Sequence, residues 1–265
     1  MSEEKSLPRF RLKIEYDGRS FVGWQRQDNG LGVQEAIESA TKKFCGETVR
    51  VQGAGRTDSG VHALGQVAHL DLNKEWPVNV IRDALNAHLR RVPVSILKVS
   101  SVEPVFHARF SATSRSYQYR IVNRRAPLTL DAGRAWWVPQ PLDTEAMTEA
   151  ANFLVGKHDF TSFRASECQA KSPVRTLDTL TIERLGDIIE ITARARSFLH
   201  HQVRNLVGSL TWVGDGKWTP AHIDTVLLSR DRRAGGPTAP ADGLYLSAIY
   251  YDDESTPDIS DRTAC

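Results

Sequence analysis

Cysteine is scarce in this 265-residue chain: Cys45, Cys168 and Cys265 are scattered and form no C-x-x-C pair. That spacing supports neither a disulfide framework nor a zinc ribbon, and a reducing, cytoplasmic setting is expected. Long apolar runs are missing as well. Nowhere do about 18 apolar residues follow one another, so no membrane span is expected. The opening MSEEKSLPRF lacks the apolar stretch of a secretory leader. His62, His69, His107, His158, His200 and His201 form no H-x-x-x-H and do not pair with cysteine at ligand spacing. No metal site is therefore expected. His88 falls on an apolar helical stripe and reads as a core residue. G-x-S-x-G is absent, which argues against a serine hydrolase. So is G-x-x-x-x-G-K-[ST], which argues against a phosphate-cradling P-loop.

Charge of one sign also looks lacking, since the formal net charge is +2. The balance shifts along the chain. Residues 252–265 hold Asp252, Asp253, Glu254, Asp258 and Asp261 against a single base, Arg262, which leaves +6 on residues 1–251. A basic body permits a polyanionic partner without requiring one. The acidic tail, 252–265, is expected to be disordered.

Periodicity supplies the elements. RFRLKIEYDG (9–18) alternates apolar and polar residues before Asp-Gly, a half-buried strand ending in a turn. A helix is expected over 33–44, a strand over 49–55, and another over 65–72. Pro77 opens a helix whose stripe is Ile81, Ala84, Leu85, His88, Leu89 and Val92, and a strand follows over 94–103. Later come a strand at 115–123, a helix over 143–156 capped by Gly156, a hairpin at 179–195 around Leu185-Gly186-Asp187, an apolar helix over 198–214 and a last strand at 243–251. Amphipathic strands and hairpin-like joins argue for α+β with a central, mostly antiparallel sheet and flanking helices, rather than a parallel doubly wound sheet. Two halves of similar element order are expected, 1–105 and 106–251.

Against this frame, GAGRTDSGVHA (53–63) is too polar and glycine-rich for a regular element. In an extended segment Arg56 and Asp58, two apart, point to the same side. A neighbouring guanidinium keeps a carboxylate ionised, which suits a nucleophile or general base, and glycine lets backbone approach a ligand closely. A tight surface turn closed by an Arg–Asp pair fits the same residues. Further on, FHARFSATSRSYQYRIVNRR (106–125) interleaves Arg109, Arg115, Arg120, Arg124 and Arg125 with Phe106, Phe110, Tyr117 and Tyr119. Guanidinium groups neutralise phosphates and aromatic faces stack on unpaired bases; a strand with a charged solvent face would look alike. FRASECQAKSPVRT (163–176) adds Arg164, Lys171 and Arg175 in a loop. In FLHHQVRNLVGSL (198–210), Arg204 sits in an apolar helix, where a buried charge needs a partner. Asp58 is a candidate, and a local salt bridge is the alternative.

Taken together, GAGRTDSGVHALGQVAH, YDGRSFVGWQRQ (16–27), FHARFSATSRSYQYRI (106–121), DFTSFRA (159–165) and FLHHQVRNLVGSL resemble, in order, the blocks of the TruA-type tRNA pseudouridine synthases. The resemblance spans roughly residues 9–250 and stops short of the acidic tail. It implies isomerisation of uridine to pseudouridine at positions 38, 39 and 40 of the tRNA anticodon stem-loop, with base flipping, by a homodimer that needs no metal or organic cofactor. Implied too are a pseudouridine synthase fold with a cleft between its halves and Asp58 as the catalytic aspartate. Tyr117 would be the active-site tyrosine and Arg204 the basic partner of the aspartate, while Arg56 would contact tRNA at the flipped base. Phe106, His107, Ala108, Arg109 and Phe110, and Glu167, Cys168, Gln169, Ala170 and Lys171, fall where that family binds RNA, and Leu244 where an apolar residue packs on uracil. A non-catalytic RNA-binding protein on the same fold is the alternative, though it would have no need to keep Asp58 and Tyr117. A hydrolase of glycosidic bonds wants two carboxylates across the bond. Only Asp58 is evident, because Asp71 falls in a different expected strand.

Overall fold

The computed structural model describes residues 7–252; the expected disorder of the tail, and Cys265, lie outside the described residues. In chain order the elements are β1 (Arg9–Tyr16), α1 (Val33–Cys45), β2 (Gln52–Gly53), β3 (His62–Asp71), α2 (Val78–Leu89), β4 (Val94–Val102), β5 (Ala112–Val122), β6 (Trp136–Trp137), α3 (Thr144–Asn152), β7 (Gly156–Asp159), β8 (Val174–Leu185), β9 (Ile188–Ala195), α4 (Gln202–Gly214), α5 (His222–Ser229) and β10 (Leu244–Tyr251). Among the described residues, ten strands and five helices make an α+β fold, as expected. No helix among the described residues is long and apolar enough to cross a membrane.

The chain divides into two compact units, 1–113 with 246–265, and 114–245. In the first, strands run in the order β4-β1-β3-β10, with the short β2 on β3. The period-2 pattern of β1 is the reason for its central place. Phe10, Leu12, Ile14 and Tyr16 are buried, and every residue between them is half exposed. Both of its edges pair antiparallel, with β3 and β4. Helices α1 and α2 pack together, α2 also against β4, and Ile37, Ile81, Leu85 and Leu89 are buried. Glycine punctuates α1 at both ends, Gly32 before it and Gly46 (φ 80°) after it.

The second unit runs β6-β5-β9-β8-β7. Its β8–β9 hairpin closes with Leu185 opposite Ile188 around Gly186 (φ 61°), the turn expected from Leu-Gly-Asp. All its ladders are antiparallel except the two-residue β5–β6 pair. Asp143 caps α3 by accepting the Glu145 and Ala146 amides. Helix α3 packs on α4, α5 and β8, with Met147, Ala150, Leu206 and Leu210 buried.

Several expectations are corrected. The strand expected over 49–55 shrinks to Gln52–Gly53, because side chains of α1 occupy its backbone: Gln34 donates to the Val51 carbonyl and Glu38 accepts the Val51 amide. Helix α3 stops at Asn152, its end tightened by the Leu154 amide on the Ala151 carbonyl, and Gly156 (φ 113°) opens β7 instead of capping a helix. The last apolar helix starts at Gln202 rather than 198, since His201 is left-handed (φ 60°) and the Gln202 side chain caps back onto the Leu199 amide. His88 is exposed, not core: α2 buries only Ile81, Leu85 and Leu89, a narrower stripe than the sequence suggested.

Candidate functional site

In the first unit, the glycine-rich loop is held from below by the YDGRSFVGW segment. Side chains alternate through the loop: Arg56 exposed, Thr57 buried, Asp58 half exposed. The buried Thr57 hydroxyl is 2.8 Å from the Tyr16 hydroxyl, and the Thr57 carbonyl accepts the Trp24 amide. Arg56 and Asp58 therefore lie on the outward side, the i, i+2 relation expected of them. One step upstream, Gln66 donates to the Gly55 carbonyl and the Ala54 amide bonds the Val67 carbonyl. Downstream, the Val61 amide closes a turn on the Asp58 carbonyl, with Gly60 at φ 80°. Gly18 lies so close beneath that an added Cβ would stand 2.1 Å from the Val61 carbonyl oxygen. The carboxylate of Asp58 is thus carried on backbone tied at positions 54, 55, 57 and 61.

The 16–19 turn is itself fixed. Burial pushes Asp17 up, but hydrogen bonds from the Arg19 side chain and amide, and the nearby His62, outweigh it and hold Asp17 at about 2. His62, buried, accepts the Gly18 amide at Nδ1 and lies 3.3 Å from Asp17.

The FHARF segment also belongs to the first unit. Arg9 clasps Asp71 through two hydrogen bonds and donates to the Pro104 and Phe106 carbonyls at 2.6 and 2.7 Å. The buried His69 accepts the Ala108 amide, and Tyr251 donates to the Ala108 carbonyl. Burial, with help from Arg9 and His107, pushes His69 down to about 4 despite Asp71, so its Nδ1 stays free to accept. His107 is lowered too, by burial first and then Arg9. Ala108 is buried, whereas Arg109 and Phe110 are exposed, the guanidinium 5.7 Å from the Phe110 ring centre.

In the second unit, Tyr117 sits on β5 opposite Ala193 of β9, half exposed, its ring edge-on to Phe198 at 5.1 Å. Arg204 lies in the first turn of α4 and is half buried rather than fully so. Its Nε donates to the Ala239 carbonyl at 2.7 Å, and the Ala239 amide returns a bond to the Arg204 carbonyl. Asn205 fastens the same turn, donating to the Phe163 carbonyl and accepting Arg232 and Thr238. Leu244, first residue of β10, is buried. Glu167, Gln169 and Lys171 are exposed and Cys168 and Ala170 half exposed, in the loop between Phe163 and β8. Sequence reasoning missed the supporting residues Tyr16, Thr57, Gln66, Arg9 and His69. Each is an ordinary strand or loop residue whose partner lies between 11 and 97 positions away.

Among known proteins, a family model described as tRNA pseudouridine synthase matches residues 13–111 and 150–252. The chain belongs to the tRNA pseudouridine synthase family. Arg56, Asp58 and the FHARF turn fall in the first matched stretch and Arg204, Leu244 and the 167–171 loop in the second, while Tyr117 lies between the two stretches. A protein of Paramagnetospirillum magneticum named tRNA pseudouridine synthase A is 59% identical, over 92% of this chain and 96% of its own length. The protein of that name from Sinorhizobium fredii is also 59% identical, over 92% of this chain and all of its own length. The one from Rhodospirillum rubrum is 57% identical, over 94% and 90%. Isomerisation of uridine in tRNA is the activity that goes with this family, and the chain is an enzyme of it.

Proposed function

We propose that this tRNA pseudouridine synthase acts at positions 38, 39 and 40 of the anticodon stem-loop, with Asp58 as the covalent nucleophile. The observation that carries this reading is the presentation of Asp58: a half-exposed carboxylate on a loop tied down on both sides, with exposed Arg56 on the same side. A nucleophile gains most when its position is fixed before substrate arrives. The target uridine leaves the stack, at a cost of a few kcal/mol. Attack by the carboxylate at C6 of uracil or at C1′ of ribose lets the N1–C1′ bond break. The uracil turns, C5 bonds to C1′, the bond to Asp58 breaks to return the free carboxylate, C5 loses its proton and N1 gains one. Atoms and oxidation state balance without any added reactant, so the reading needs no metal or organic cofactor. Tyr117 stacks on the base or helps remove the C5 proton, Arg204 pairs with the aspartate, and Arg56 holds phosphate or fills the space that the base leaves. Leu244 packs on the uracil. Phe106, His107, Ala108, Arg109 and Phe110 and the 167–171 loop contact RNA. The reading carries with it a cytoplasmic homodimer.

Release of tritium from C5-labelled uridine in tRNA transcripts tests it. The intact chain is expected to release label, and Asp58→Asn to release none while keeping most of its tRNA affinity. Release by both proteins would remove Asp58 from the chemistry. Binding without release by either would leave a non-catalytic RNA-binding protein.

A further inference from the structure

At the far end of β5 from Tyr117, the second unit has an open cleft of about 350 Å³ lined by Arg124, Arg125 and Arg184 with Pro139, Pro141 and Leu142. We propose that this cleft binds the phosphodiester backbone of the tRNA substrate, a contact separate from the one at the reacting base. The inference rests on the reading of the chain as a tRNA-modifying enzyme, and it adds a place on the enzyme where the RNA is held.

Its walls are built rather than incidental. Asn123 uses both ends of its amide to assemble them. Its Nδ2 donates to the Val138 and Gln140 carbonyls at 2.9 and 2.6 Å, and its Oδ1 accepts the Leu142 amide and the Arg184 guanidinium at 3.2 and 2.9 Å. Arg184 is pinned a second time by the Leu142 carbonyl at 2.8 Å. The Asn123 amide bonds the Asp187 carbonyl, which ties in the β8–β9 turn. Arg124 rests on the Ala126 carbonyl, and its own carbonyl accepts the Trp137 indole.

Charge then selects the ligand. Three guanidinium groups line it, and among the described residues the one carboxylate paired with them, Asp187, is 3.6 Å from Arg124 and well exposed. Arg125 is exposed and has no hydrogen bond or ion pair with any of the described residues. Guanidinium forks match phosphate oxygens, and two prolines with a leucine give a sugar an apolar wall. From Tyr117 to Val122 the strand advances roughly 17 Å at its usual rise per residue. A ligand touching both places is therefore polymeric.

Binding of tRNA to the intact chain and to Arg125→Lys, Arg125→Ala and Arg125→Glu, across a salt series, tests the proposal. Arg125 is exposed and unpartnered, so equal melting temperatures are expected and would establish intact folding. Arg125→Ala is expected to weaken binding several-fold and to lower the salt slope by about one, the signature of one lost phosphate contact. Arg125→Glu is expected to lose tenfold or more, and Arg125→Lys to keep most of the affinity. Unchanged affinity and slope in all three overturn the cleft, as does a loss confined to Arg125→Glu with no change in Arg125→Ala. Tritium release by the intact chain separates the two ideas. Release with indifferent Arg125 variants sinks the cleft alone, whereas no release sinks the tRNA-synthase reading while the binding series still decides the cleft.

Discussion

Thr57 shows how one side chain sets the direction of its neighbours. Its hydroxyl is buried against that of Tyr16, so the residues on either side, Arg56 and Asp58, must face outward. Tyr16→Phe removes the side-chain partner of a buried hydroxyl, a loss that costs about 1–3 kcal/mol. Thr57→Val in the same background removes the stranded group. The double variant is therefore expected to be more stable than the sum of the two single losses predicts, by roughly 1 kcal/mol in a urea-denaturation cycle. Strict additivity would mean that the two hydroxyls do not act as a pair. Turnover is expected to fall with Tyr16→Phe, because the loop that carries Asp58 loses one of its ties.

Among the elements, the 104–111 turn is anchored by Arg9, His69 and Tyr251, and one of these anchors titrates. The folded chain holds His69 at about 4, chiefly by burial, while an unfolded histidine titrates near 6.5. Above pH ~6.5 both states leave the ring neutral and it contributes nothing to the pH dependence. Between about 6.5 and 4 the unfolded chain takes up a proton that the folded chain refuses, so stability falls as pH falls through that window. Lowered His107 adds to the same loss. The urea midpoint is expected to drop from pH 7 to pH 4, and His69→Gln to flatten the drop; a variant that keeps the full wild-type slope would clear His69 of the effect. None of this was legible in the sequence, where His69 was one more histidine in a strand, because what matters is a backbone amide 39 positions away. The same limit explains the shortened strand before the loop: Val51 has strand chemistry, but Gln34 and Glu38 reach its backbone first. Alternating β1, the body of α3 though not its end, and the β8–β9 hairpin were legible because their signals are local. Asp58 was legible as a candidate from glycines and an arginine nearby, while its rigidity comes from residues 16–24 and could not be read from the loop itself.

For the molecule as a whole, the charge distribution along the chain has a measurable consequence for RNA. Residues 253–265 contribute Asp253, Glu254, Asp258 and Asp261 against Arg262, so a chain ending at Asp252 carries +5 where the full chain carries +2. Charge of this kind acts over the screening length, about 30 Å at 0.01 M salt and about 10 Å at 0.1 M. It changes the encounter with a polyanion without adding a contact. The phosphate contacts proposed for Arg109 and Arg125 would behave differently, because each would release counterions and so alter the slope of affinity against salt. The shortened chain is thus expected to bind tRNA more tightly than the full chain at 0.01–0.05 M salt, and to converge with it by roughly 0.3 M, where the screening length has shrunk to a few ångströms. Filter binding of one tRNA to both chains over that range would measure it. Equal affinity at the lowest salt would mean that the acidic residues lie beyond electrostatic reach of the bound RNA, and a gap that persists at 0.3 M would mean that they touch the RNA-binding surface directly.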